Sequence, residues 1–154
     1  MATAEPVTVP QTGLSSPSLQ PLELSFPLPK ALHTTAHVHL TFLGNCTTVF
    51  LTTSTPGDSA GSYKPLGSFV YAMPDRTSSK QTISTTIYTS PSSIEYATRV
   101  AKILARRTGK PIYVGCSIDP NGLGLAVEEE MEGLSKIVNV ITEKFDLQQH
   151  QQQQ

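Results

Sequence analysis

The stretch from Ser92 to Ile118, SSIEYATRVAKILARRTGKPIYVGCSI, leaves few folds open to this chain. Ile94, Ala97, Ala101 and Leu104, with Val100 and Ile103 beside them, recur at the three- and four-residue spacing of one helix face. Arg99, Lys102, Arg106 and Arg107 fall mostly off that face. Two starts are compatible with the pattern: Ser92 with Glu95 has the S-x-x-E form of a capping box, and Ser90 stands before Pro91. Gly109 occupies the position of a left-handed C-cap behind a basic last turn, which the helix dipole favours. Ile112, Val114, Cys116 and Ile118 then alternate with Tyr113, Gly115 and Ser117, the period of a strand. The unit is a helix, a glycine stop and a buried strand, and it contains no evident chemistry.

Strand signals dominate upstream. Residues 1–20 are rich in Pro, Ser, Thr and Gln, and half of the 12 prolines precede residue 30. Such a segment buries too little apolar surface to offset its ordering entropy, so it is expected to be a disordered extension. Leu22, Leu24, Phe26 and Leu28 alternate with polar residues and proline, which predicts an edge strand. Val38, Leu40 and Phe42 alternate with His37, His39 and Thr41, and Gly44-Asn45 is a two-residue hairpin signal before CTTVFLTT. That turn sets Leu43 opposite Cys46, Leu40 opposite Val49 and Val38 opposite Leu51. Val38, Leu40, Phe42, Val49 and Leu51 then share a dry face, and His37, His39, Thr48 and Phe50 share a mixed one.

Gly67–Met73 is apolar on both faces and reads as a central strand covered on both sides. Thr82–Tyr88 is a further strand or an extended lead into the helix. Beyond the central unit, Asp119-Pro120-Asn121-Gly122 predicts a turn and Leu123, Leu125 and Val127 a returning strand, with Cys116 opposite Leu125 and Val114 opposite Val127. A second helix is expected over Glu128–Phe145, with Met131, Leu134, Val138, Ile141 and Phe145 on one face and acidic residues in its first turns. The fold class that results is α+β. A mostly antiparallel sheet of roughly five to seven strands carries two helices on one face. The single domain is expected over residues 21–146, with a glutamine-rich tail at 147–154 lacking structure.

Composition bounds the function. The net charge of -1 gives no global basicity for nucleic acid. No apolar run reaches the roughly 18 residues of a membrane span. The start lacks a basic segment followed by an apolar one, so a cytoplasmic or nuclear location is expected, and Cys46 and Cys116 read as small buried hydrophobes. The Asn45-Cys46-Thr47 sequon is then incidental.

The candidate chemistries fail on their own requirements. His37 and His39 share a strand face, but with His33 outside the strand they lack a third zinc ligand. There is no G-x-S-x-G elbow. Thr108-Gly109-Lys110 resembles the end of a phosphate loop, yet it follows a helix, has Leu104 at the required glycine and is followed by Pro111. The glutamates at Glu128–Glu132 lack the loop offsets of a Ca²⁺ site and read as a solvated helix start. No metal or cofactor is expected. The basic residues Arg99, Lys102, Arg106 and Arg107 suit a solvated helix face or a contact to an acidic protein surface, and RNA is disfavoured because no aromatic platform accompanies them.

The string LARRTGK, the apolar strand after it and the EEEME start of the final helix resemble the proteasome assembly chaperone 4 family. HVHLTFLGNCTTVFLTT and GSFVYAMPD are similar to its earlier strands, so the resemblance spans roughly Thr35–Phe145. The proline-rich start, the Thr53–Lys64 loop and the glutamine tail depart from it. The resemblance implies a non-enzymatic protein that pairs with a related subunit, proteasome assembly chaperone 3. The pair would bind α-type subunits, promote α-ring formation of the 20S core particle and then leave. On that reading His39, Thr48 and Phe50 on the second sheet face are candidates for the partner subunit, and Arg99, Lys102, Arg106 and Arg107 for an α-type subunit. A roadblock- or longin-like scaffold for trafficking or GTPase regulation uses a similar alphabet of elements and is the alternative.

Overall fold

The computed structural model describes residues 20–31, 33–78 and 80–153; the expected N-terminal extension lies almost wholly outside them. The strands are β1 (Leu22–Pro27), β2 (Thr35–Phe42), β3 (Thr47–Ser54), β4 (Ser68–Pro74), β5 (Thr82–Tyr88) and β6 (Ile112–Cys116). The helices are α1 (Ile94–Thr108), between β5 and β6, and α2 (Val127–Gln152), after β6. The strands form one six-stranded sheet in the order β1-β2-β3-β6-β4-β5. β3 and β6 are parallel, and every other neighbouring pair is antiparallel. This is the expected α+β class with a mostly antiparallel sheet.

The β2–β3 hairpin closes in the register read from the sequence, with Val38 opposite Leu51 and Leu40 opposite Val49. Gly44 takes φ 70° at the first turn position, where an L side chain would be strained, and Leu43 N donates to Cys46 O at 2.9 Å. Rows of apolar residues then cross the sheet. Leu40, Val49, Val114 and Val70 form one, and Val38, Leu51 and Cys116 form the next. All seven are buried. Each buried Val or Leu contributes about 1.5–3 kcal/mol relative to exposure.

Both helices cover this face. α1 lays Ala97, Val100, Ala101, Leu104 and Ala105 over the β6–β4–β5 half, and its small residues permit close approach. α2 covers the β1–β3 half, with Gly133 backing onto Leu28 and the Phe145 ring 6.2 Å from that of Phe42. Arg99 Nη2 meets Glu130 Oε1 at 2.7 Å, and Arg107 Nη1 donates to Asn139 Oδ1 at 2.8 Å, so the helices run side by side in one direction.

Four expectations are corrected. Leu123, Leu125 and Val127 do not form a strand paired with β6. Both edges of β6 are already taken, by β3 and β4, so a returning strand has no backbone left to pair with. Residues 117–126 instead make turns, with Leu123 N donating to Asp119 O and Leu125 N to Pro120 O, both at 3.0 Å, and Val127 opens α2.

The α1 N-cap is Ser93, without a side-chain cap. Its hydroxyl serves the fold instead: it lies 2.9 Å from Ser68 Oγ and accepts from Ser68 N at 3.2 Å. Tertiary satisfaction of two buried serines outweighs the local cap. Among the described residues, β4 is covered on one face only. Ser68, Val70 and Ala72 are buried toward α1, whereas Phe69, Tyr71 and Met73 stand half-buried on the other side. Finally, α2 continues through the glutamine run to Gln152, since glutamine is a good helix former and no breaker intervenes after Phe145.

Candidate partner-binding face

The face of the sheet away from the helices carries its own order. In register, Glu23, His39, Phe50, Gly115, Phe69 and Tyr88 cross it from β1 to β5. The next row is Thr41, Thr48, Tyr113, Tyr71 and Thr85. The aromatic rings touch in sequence. His39 and Phe50 stack at 6.0 Å, Phe50 and Phe69 at 6.4 Å, Phe69 and Tyr113 at 5.9 Å, and Tyr113 and Tyr71 lie tilted at 4.7 Å. These spacings are those at which aromatic pairs attract. Phe50 is 37% exposed, Ile83 50% and Tyr88 62%. A bulge at Phe69/Val70 disturbs the β4–β5 register beside Tyr88.

Gly115 explains how the rings meet. β6 lies between β3 and β4, and a Cβ on Gly115 would fall 2.6 Å from both Phe50 Cδ1 and Leu66 Cδ1. The missing side chain lets rings from two non-adjacent strands and a leucine from the β3–β4 loop fill one hollow. A cavity of about 460 Å³ opens beside it, lined by Glu23, His37, His39, Phe50 and Leu66.

His37 is held at the edge of this face by hydrogen bonds between Nδ1 and Ser25 Oγ (2.8 Å) and between Nε2 and Ser54 Oγ (2.7 Å). Both ring nitrogens are therefore occupied by hydroxyls. His33 sits in the β1–β2 turn at φ 74°. Among the described residues, no group of three or more His, Cys, Asp or Glu is arranged to hold a metal ion.

His39, Thr48 and Phe50 share the open face. Arg99, Lys102, Arg106 and Arg107 lie on α1, across the sheet from them, so the structure does not bring the two groups together. The basic group itself divides. Arg99 and Arg107 are bonded to α2, and Lys102 and Arg106 are exposed. Phe69, Tyr71, Tyr113, Ile83 and Tyr88 were missed as members of the open face. Their signal was available: GSFVYAM was read as apolar on both faces, and Tyr113 alternates with two buried aliphatics.

LARRTGK is resolved into contacts. Gly109 caps α1 at φ 67°, its N–H donating to Ala105 O. Lys110 Nζ reaches Gly44 O at 3.3 Å and stands 5.5 Å from the centre of the Phe145 ring. With Arg107 on Asn139, the motif ties α1, α2 and the β2–β3 turn together.

The family model for proteasome assembly chaperone 4 matches residues 35–118, more than half of the chain and the whole run from β2 to the end of β6. The chain belongs to the proteasome assembly chaperone 4 family. A chaperone role in 20S proteasome assembly follows from that membership, and it decides against the roadblock- or longin-like alternative. Among solved structures, the fold is similar to a chain in "Crystal Structure of a Novel Chaperone Complex for Yeast 20S Proteasome Assembly". The TM-score is 0.51 at 16% identity, over 85% of this chain and 95% of that one. No curated protein matches the chain. Within this member of the proteasome assembly chaperone 4 family, LARRTGK is a structural tie, and the aromatic face of the sheet lies on the side away from both helices.

Proposed function

We propose that this chain acts without turnover, by pairing through its open sheet face with a subunit resembling proteasome assembly chaperone 3. The pair then binds α-type proteasome subunits and promotes α-ring formation. The aromatic row across β3, β6 and β4 carries this reading. A strand apolar on both faces calls for cover on both, and among the described residues a helix layer lies on only one. Contiguous exposed apolar surface on a folded domain marks a protein interface, and aromatic residues are enriched at interface centres. Two sheets packed face to face lie about 10 Å apart, close enough for such rings to interdigitate. The same proposal places the action in the cytoplasm or nucleus.

Affinity purification of the tagged full-length chain, read by mass spectrometry, tests this. The expected result is recovery of a second small chaperone together with proteasome α-type subunits. Recovery of neither would overturn the proposal.

A further inference from the structure

The net charge of -1 conceals a sorting of charge along the molecule. Three ion pairs occur among the described residues: Lys30–Glu132, Lys64–Asp58 and Arg99–Glu130, each at 2.7 Å. All three stand at one end, where both helices begin and where the β1–β2 turn and the β3–β4 loop lie. Glu95, Asp119, Glu128 and Glu129 belong to that end too. The opposite end gathers cations from three separate segments: Arg76 and Lys80 from the β4–β5 turn, Lys102 and Arg106 from the last two turns of α1, and Lys110 from the α1–β6 junction. Asp75 beside Arg76, and Glu143 and Asp146 flanking the Phe145 ring under Lys110, stand at this end too, but Arg107 and Lys144 join the cations and leave them in excess.

The topology places them. Pro74 pairs with Thr82 at the tip of the β4–β5 hairpin, just beyond Ala72, and Ala72 is opposite Ile112, where β6 begins immediately after α1 ends. None of the five lies within 4.0 Å of a carboxylate oxygen among the described residues. The helix dipole accounts for basic residues at the end of α1. It does not account for Arg76 and Lys80, which lie on no helix. α1 is roughly 22 Å long, more than two Debye lengths at physiological salt, so the two ends present opposite signs independently.

We propose that this basic end docks an acidic protein surface and that the acidic end repels the same surface, so that the chaperone meets its client in one orientation. The client is an α-type subunit, which rests on the function proposed above. A protein surface fits better than nucleic acid. The exposed aromatic rings among the described residues, Phe50, Tyr63 and Tyr88, sit on the open face or at the acidic end, which leaves no stacking platform beside the cations.

Binding of the full-length chain to fluorescent polyglutamate and to polyuridylate, measured by anisotropy at 0.05 to 0.5 M NaCl, tests the charge. In parallel, capture of recombinant α-type subunits by the chain tests the client. The expected result is salt-sensitive polyglutamate binding that falls at least tenfold in Arg76→Glu/Lys80→Glu/Arg106→Glu. Arg76→Lys/Arg106→Lys should retain it, and Glu128→Lys/Glu129→Lys should not lose it. Unchanged binding in the triple reversal, or tighter binding to polyuridylate than to polyglutamate, would overturn the proposal. If no α-type subunit is captured by the wild-type chain, the client reading fails, and the polyglutamate series still decides whether the basic end is an acidic-surface site.

Discussion

Phe50 on β3 and Phe69 on β4 stack at 6.4 Å with their planes only 12° apart, although β6 lies between their strands. The contact exists because the residue between them is Gly115. It forms the centre of the face proposed to meet the partner subunit.

Phe50→Glu places a charge at that centre. Loss of a central aromatic anchor costs about 2 kcal/mol or more of binding, roughly thirtyfold. The isolated chain should change by about 1 kcal/mol or less, because Phe50 is partly exposed already. Co-purification with the partner and a denaturant midpoint measured on the same protein separate the two effects. Normal pairing by the variant would remove the open face from consideration.

Gly115 and Gly67 should respond differently to alanine. At Gly115 the new Cβ meets the outer ends of the Leu66 and Phe50 side chains, which can swing away. Gly115→Ala should keep the fold and weaken pairing. At Gly67 the φ is +74° and the new Cβ would lie 2.1 Å from the Cys116 carbonyl oxygen. Backbone cannot swing away, so Gly67→Ala should cost about 1–3 kcal/mol of stability. Thermal and urea unfolding of both variants checks the contrast.

Ser68→Ala should cost about 1–3 kcal/mol, because it removes the hydrogen-bond partner of the buried Ser93 hydroxyl and of the half-buried Ser90 backbone. Ser68 Oγ donates to Ser90 O and accepts from Ser90 N, both at 3.0 Å, so the Ser93 hydroxyl must donate to Ser68. Ser92→Ala, one residue from the same junction and exposed, is the control and should be neutral. Equal unfolding midpoints for the two would show that the buried network contributes nothing.

Alkaline pH should destabilise the fold. Burial pushes the Cys116 thiol from 9.0 up to about 12 and raises the Tyr96 phenol as well. Both groups prefer to stay neutral in the folded chain. Their contribution is fully present below the unfolded pKa values and is lost as pH rises from about 9 through 12. Cys116→Ala should flatten part of that decline in unfolding free energy against pH, at some cost in packing at neutral pH. In the native state Cys46, which is half-buried, should react with a thiol reagent well before Cys116.

The hairpin from Thr35 to Ser54 was legible residue by residue, because a two-residue turn sets register locally. The α1–Gly109–β6 unit was legible for the same reason: helix period, cap and strand period are all short-range. His39, Thr48 and Phe50 were correctly placed on one face by alternation alone. The strand expected at Leu123–Val127 failed because alternation says nothing about whether an edge is free to pair. The capping box at Ser92 and the alternative start at Ser90 failed because Ser93 is the cap and a buried hydroxyl on a strand, Ser68, engages its side chain.

By itself, then, the sequence determined the local elements, the dry face of the hairpin, the glycine stop after LARRTGK and the family resemblance. Each of these depends on residues within a few positions of one another. Only the tertiary structure decided that β6 inserts between β3 and β4, that Gly115 joins rings from both, that Arg99 and Arg107 face α2, and that the three ion pairs gather at one end. Those outcomes depend on which strands become neighbours. That choice is made by the simultaneous burial of two helices on one sheet face, and no short window of residues encodes it.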